Sequence, residues 1–100
     1  MTFAEWRMLV ARTDREPHMP KFMDVHSGFY GTTQDELRAA HNGDLAIQAE
    51  EGVNFEHAWL DPVSGKAFCI STGPSKEAVQ RIHARNGIPT EEIYEIASEV

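Results

Sequence analysis

The sequence is poor in the features that mark several classes of protein. It contains one cysteine, Cys69, so no disulfide can form within the chain and a reducing compartment is expected. No apolar run approaches the roughly 18 residues that a membrane-spanning helix needs. Glu5 and Arg7 interrupt the apolar N-terminal stretch, which argues against a secretory signal. The sequence therefore predicts a cytoplasmic protein that does not associate with membranes.

Basic residues are also scarce. Nine Lys and Arg stand against sixteen Asp and Glu, so the net charge is −7 at pH 7. This sign disfavours contacts with the phosphate backbone of nucleic acids, whereas it favours cations as partners. No H-E-x-x-H motif or pair of cysteines supplies a ready-made metal site. Any metal site must therefore be assembled from distant residues.

One hundred residues suffice for one small domain. Residues 13–18 are polar and include Pro17, so residues 1–18 are predicted to be an N-terminal appendage and residues 19–100 the folded domain. Within the domain, turn residues and helix caps separate stretches of strand and helix periodicity. The predicted elements are a strand at 21–26, a helix from Thr32 or Thr33 to about 51, strands at 53–61 and 66–72, a helix between Ser75 and Gly87, and a strand at 92–99.

This βαββαβ order predicts an α+β fold. In the split βαβ arrangement, a four-stranded antiparallel sheet carries both helices on one face. The other face is left open and is expected to form a homodimer. With Asp61 opposite Lys66 in the hairpin, we expect Trp59 opposite Phe68, His57 opposite Ile70 and Phe55 opposite Thr72 on one face.

The first predicted helix has polar groups on its apolar face. His41, Asp44 and Gln48 lie within about 40° of Leu37, near the middle of the stripe that should pack on the sheet. Buried polar groups need partners. Either His41 and Asp44 satisfy each other one turn apart, or an imidazole and a carboxylate at this spacing hold a divalent ion.

The other candidate ligands come from the remaining elements. Asp24 and His26 share a face of the first strand, either as a solvated or salt-bridged edge or as a second ligand pair. His57 is either a histidine packed among aromatic residues or a ligand, and His83 lies at the flank of the second helix's apolar stripe. Cys69 is interpreted as a buried, inert thiol.

Several segments resemble the small actinobacterial nickel-binding protein family, formerly a domain of unknown function. They are MPKFMDVHS (19–27), AH (40–41) with DLA (44–46), AEEGV (49–53), FEHAWLDP (55–62), FCISTGPSKEAV (68–79) and IH (82–83). The resemblance extends from residue 19 to about residue 96. It implies a ferredoxin-like fold that assembles into a dimeric α/β barrel and binds a nickel ion.

The resemblance together with the face analysis makes six side chains candidate metal ligands. No catalytic residue is assigned. One alternative is an enzyme of the dimeric ferredoxin-like barrel type, a monooxygenase or isomerase, acting on a small molecule held between sheet and helices. A second alternative is a module that serves only oligomerisation or partner binding. Asp24 and His26 would share a site on the sheet face, and His41 and Asp44 would form one on the helix side, with His83 as an optional third member. The six candidate ligands are Asp24, His26, His41, Asp44, His57 and His83.

Overall fold

A computed structural model describes residues 2–5 and 19–100. The folded elements are β1 (Lys21–His26), α1 (Gln34–Ile47), a 3-10 helix (Gln48–Glu51), β2 (Asn54–Asp61), β3 (Lys66–Thr72), α2 (Lys76–Arg85) and β4 (Glu92–Glu95). The predicted βαββαβ order is therefore present. Residues 3–5 are helical, whereas residue 1 and residues 6–18 of the predicted appendage lie outside the described residues.

Local sequence signals define both helices. Thr33 and Glu36 form a capping box at the start of α1, since the Thr33 hydroxyl accepts from the Glu36 amide and the Glu36 carboxylate accepts from the Thr33 amide. The Ser75 hydroxyl caps α2 by accepting from the Ala78 amide. After α1 the chain continues as the 3-10 helix. That helix ends at Gly52, whose φ of 67° is left-handed.

The four strands form one antiparallel sheet in the order β2-β3-β1-β4. This order places β1 at the centre, between β3 and β4. The hairpin register confirms the expected pairs Trp59 with Phe68 and His57 with Ile70. The expected pair of Phe55 with Thr72 is wrong, because a bulge between Phe55 and His57 puts Phe55 opposite Ser71 and turns its ring into the core.

The two faces of the sheet differ. Phe22 of β1 packs in a core of buried apolar side chains with both helices on its side of the sheet, and that core comprises Phe22, Val53, Phe55, Ala78, Val79 and Ile82, with Ile47 and Ile93 against it. The opposite face carries Trp59 and Tyr94, which are 48% and 53% exposed. The sheet is open and does not close into a barrel. Among the described residues, no helix has the length and apolarity needed to cross a bilayer.

Candidate metal centre

Asp24 and His26 project from β1 into the protein interior. Alternate residues of a strand share a face, and Phe22, Asp24 and His26 occupy the face covered by the helices. Because β1 is a central strand, the two polar side chains are almost fully buried, with exposed fractions of 1% and 2%. The predicted alternation was right, but a solvated edge is excluded. Two polar groups in such a place need partners.

Asp24 contacts two imidazoles. Its Oδ2 lies 2.6 Å from Nε2 of His83, which is buried on α2. Its Oδ1 lies 3.2 Å from Nε2 of His26. The first contact is a hydrogen bond, whereas the second is close but not aligned as one. Asp24 Oδ1 and His26 Nε2 therefore face each other in the interior without a hydrogen-bond partner among the described residues.

The far nitrogen of each imidazole contacts an oxygen. His26 Nδ1 lies 3.0 Å from the Pro89 carbonyl, and because a carbonyl only accepts, Nδ1 donates and carries hydrogen. His83 Nδ1 lies 3.1 Å from Oδ2 of Asp44, at ion-pair distance without hydrogen-bond alignment. Such outer contacts set the direction of metal-ligating histidines in known metal sites. Here they point both Nε2 atoms at Asp24.

Cys69 completes the group. It pairs with Asp24 across β1 and β3, so its side chain also faces the helices. One ligand atom from each of Asp24, His26, Cys69 and His83 lies within 4.8 Å of all the others, and all four residues are buried. We call these four residues the central cluster. Cys69 was interpreted from the sequence as a buried, inert thiol and was not predicted as a ligand. The β1–β3 register places it beside Asp24.

Burial and pairing act in opposite directions on the imidazole pKa values. Burial alone would lower the pKa of His26, but the nearby Asp24 carboxylate, Cys69 and the hydrogen bond with the Pro89 carbonyl raise it to about 9. Burial likewise opposes the charge of His83, but Asp24, Asp44 and Cys69 raise its pKa to about 11. Burial tends to raise the pKa of Asp24, and its two histidine partners outweigh that effect and lower it. Without a metal, the carboxylates therefore hold protons on both imidazoles.

The central cluster fits one divalent transition-metal ion. Metal–ligand bonds of roughly 2.0–2.3 Å place ligands on opposite sides of an ion roughly 4.0–4.6 Å apart, close to the 4.8 Å span found here. The unpartnered Asp24 Oδ1 and His26 Nε2 are both of the kinds of atom that ligate metals. A divalent cation in place of two imidazole protons would leave the buried charge unchanged, and ionisation of the Cys69 thiol on binding would lower it by one. Imidazole, carboxylate and thiolate suit late first-row metals.

Asp44 and His41 lie beside the central cluster rather than within it. Asp44 is buried, contacts His83 and accepts a hydrogen bond from the Asn86 side chain at 3.2 Å. It does not pair with His41, whose Nδ1 is buried without a hydrogen-bond partner in the described part of the chain. Gln48, the third polar residue of that stripe, accepts from the Phe55 amide beside the bulge.

His57 lies on the opposite face of the sheet from the central cluster. It is exposed on the open face of the sheet, tilted against Trp59 with ring centroids 5.6 Å apart. His26 and Cys69 instead line a narrow cavity beneath α1 that has room for about one water molecule. This space fits an ion or a water rather than an organic substrate.

The fold and the site together define a ferredoxin-like α+β protein with a buried histidine, carboxylate and thiol cluster suited to a metal ion. The family model described as "Nickel responsive protein SCO4226-like" matches residues 22–96. The chain belongs to this SCO4226-like nickel responsive family, which confirms the resemblance seen in the sequence.

A solved structure agrees with this assignment. The crystal structure of SCO4226 from Streptomyces coelicolor A3(2) is 51% identical in sequence, with a TM-score of 0.78. The match covers 80% of this chain and 99% of that chain. No curated protein matches the chain.

Proposed function

We propose that the protein binds nickel(II) through the central cluster and serves in nickel storage, buffering or sensing. Four buried ligand atoms within 4.8 Å of one another carry the proposal. Asp24, His26 and His83 would supply carboxylate and imidazole ligands, and Cys69 a thiolate. The nickel responsive family supports the choice of ion. A reducing compartment such as the cytoplasm would keep the Cys69 thiol available.

Asp44 has an outer role in this proposal. It lies behind His83, on the side away from Asp24, and would hold the ring in position through Nδ1. His57 is left out of the ligand set because the sheet separates it from the central cluster. Of the six residues predicted from the sequence, three are therefore proposed as ligands and Asp44 as their support, whereas His41 lies beside the central cluster.

Calorimetric titration with Ni²⁺ at pH 7.5 tests the proposal. The protein should carry no histidine tag and should first be dialysed against a chelator. We expect one nickel ion per chain, and Asp24→Asn, His83→Gln and Cys69→Ser should each weaken binding by at least about tenfold. His57→Gln is the matched exchange on the opposite face and should leave the affinity unchanged. Circular dichroism checks that each variant folds.

The proposal fails if the wild type does not bind nickel, or if folded variants of the central cluster bind as tightly as the wild type. Bound nickel should also stabilise the fold by about 2.7 kcal/mol at a hundredfold excess over the dissociation constant. In a domain of this size that corresponds to a rise in melting temperature of roughly 10–20 °C. A chelator should reverse the rise.

We also propose that the protein is a homodimer formed through the open face of the sheet. Trp59 and Tyr94 lie there half exposed, together with Phe68 and His57. A sheet covered on one side only usually buries its other apolar face against a second layer. Two such sheets face to face would give the dimeric barrel expected from the sequence.

A further inference from the structure

His41 lies between the central cluster and the surface. It is half-buried on α1, and its Nδ1 has no hydrogen-bond partner among the described residues. A buried imidazole nitrogen left without a partner costs free energy, so its position calls for a ligand or water. Neither Asp44 nor Asn86 supplies that partner, because both bond elsewhere.

Two adjoining spaces meet at this histidine. The inner one is the narrow cavity lined by His26, Asp44 and Cys69. The outer one is a wider cleft lined by Gln34 and Arg38, which are exposed at the start of α1. The two spaces share three lining residues: Leu37, His41 and Ala58. Since Leu37 and Ala58 are apolar, His41 is the shared residue, within the described ranges, that can bind a cation.

We infer that His41 is the entry ligand through which a divalent cation passes between solvent and the central cluster. The inference rests on the proposed function, and it adds a route to a site whose ligands are all buried. An ion entering the cleft must exchange hydration water for protein ligands, and the imidazole of His41 is the first nitrogen ligand that it meets. Asp44 then lines the inner cavity with a carboxylate. From there His26 and Cys69 are the next side chains.

The positive charge of Arg38 opposes the entry of a cation. Its guanidinium is exposed at the outer cleft and pairs with Asp35 at 3.1 Å, a weak surface contact. A positive charge beside the entrance repels an approaching cation and slows association, more strongly at low salt. Removing this charge should therefore accelerate nickel binding without changing the central cluster.

Stopped-flow kinetics with Ni²⁺ test the inference. Association is followed on mixing protein with Ni²⁺, and release on mixing the loaded protein with excess chelator. We expect His41→Gln to slow association and release by about tenfold each, with the equilibrium dissociation constant within about twofold of the wild type. Arg38→Gln should raise the association rate. Asn42→Ala, an exposed exchange next to His41 on α1, is the control and should change neither rate.

The outcomes separate this inference from the proposed function. If the wild type binds no nickel, the proposed function and the inference both fail. If it binds and His41→Gln leaves both rates unchanged, the inference alone is overturned. If His41→Gln weakens equilibrium binding more than tenfold and speeds release, His41 is a permanent ligand and the entry role is wrong. Should His41→Gln fail to fold, an unchanged association rate for Arg38→Gln at low salt overturns the inference.

Discussion

Asp24 Oδ2 and His83 Nε2 lie 2.6 Å apart although 59 positions separate the two residues in the chain. The contact joins the central strand β1 to α2, on the face of the sheet that both helices cover. Both side chains are 1% exposed, so water does not stabilise either charge. The charge of each side chain is therefore stabilised by the other. Replacing one member of this pair tests the central cluster.

Replacing Asp24 by asparagine should strongly destabilise the metal-free protein. The variant keeps the side-chain shape but removes the carboxylate that compensates His26 and His83, and breaking a buried ion pair costs about 3–5 kcal/mol. Urea unfolding at pH 7 in the presence of a chelator measures the change. Asp35→Asn is the matched control, because Asp35 makes a solvent-exposed pair worth at most about 1 kcal/mol. A loss below 1 kcal/mol for Asp24→Asn would contradict the interpretation.

The stability of the metal-free protein should fall as pH rises from 6.5 to 9. His26 and His83 have folded-state pKa values of about 9 and about 11, above the ordinary 6.5. Their protonation therefore stabilises the fold fully below pH 6.5, and this stability is lost as pH rises through the folded values. For His26 alone the loss amounts to at most about 3 kcal/mol by pH 9. Urea unfolding at several pH values measures this loss of stability. His57→Gln, which removes an exposed imidazole outside the central cluster, is the control.

Nickel affinity should rise over the same pH interval. The ion competes with the imidazole protons, so removing those protons favours the metal. The loaded protein should then lose less stability than the metal-free protein between pH 6.5 and 9. A dissociation constant that does not change over this interval would show that nickel does not displace protons from His26 or His83.

Gly43→Ala should destabilise the protein, contrary to the usual effect. Exchanging glycine for alanine inside a helix ordinarily stabilises it by roughly 0.5–1 kcal/mol. Here a Cβ at Gly43 would overlap the side-chain amide of Asn86, which donates to the Ala40 carbonyl at 2.9 Å and to Asp44. The displaced amide would leave Asp44 less well held, so nickel affinity should fall as well.

A double-mutant cycle with Asn86→Ala isolates this contact. In the Asn86→Ala background the overlap is gone, so Gly43→Ala should be neutral or stabilising. Urea unfolding of the four proteins measures the coupling. Equal stabilisation by Gly43→Ala in both backgrounds would rule out a constraint from Asn86.

Trp59→Glu should convert the proposed dimer into a monomer. Trp59 is half exposed on the open face, and a carboxylate there would be buried without a partner in a sheet-to-sheet interface. Light scattering at micromolar concentration measures the mass. Val63→Glu, in the exposed turn between β2 and β3, is the control and should leave the dimer intact. A wild-type protein that is monomeric at this concentration would contradict the dimer proposal.

A chain that begins at Met19 should fold and bind nickel like the full chain. The sheet and both helices are built from residues 21–95, and the family match spans residues 22–96. Thermal unfolding and calorimetric titration of both chains make the comparison. A truncated protein that unfolds or loses nickel would show that residues 1–18 belong to the core, contrary to the predicted domain boundary.

Local patterns in the sequence account for the elements and their order. The Thr33 and Ser75 caps, the glycine stops and the alternation in β1 act within a few residues, so they can be identified without knowledge of the fold. The register of the β2–β3 hairpin could be predicted as far as His57 for the same reason. The bulge before His57 was missed, because it serves the packing of Phe55 in a core built from distant elements.

The partners of the polar residues were decided by tertiary structure. The sequence identified Asp24, His26, His41, Asp44, His57 and His83 as chemically unusual, and it grouped Asp44 with His41, its neighbour on the helix, with His83 as an optional third member. In the fold Asp44 contacts His83 of the other helix, Cys69 joins from β3, and His57 faces the opposite side of the sheet. Helix and strand periodicity specify only which face of an element a side chain occupies. The contacts across that face depend on sheet order and helix packing, which bring four residues from three elements within 4.8 Å.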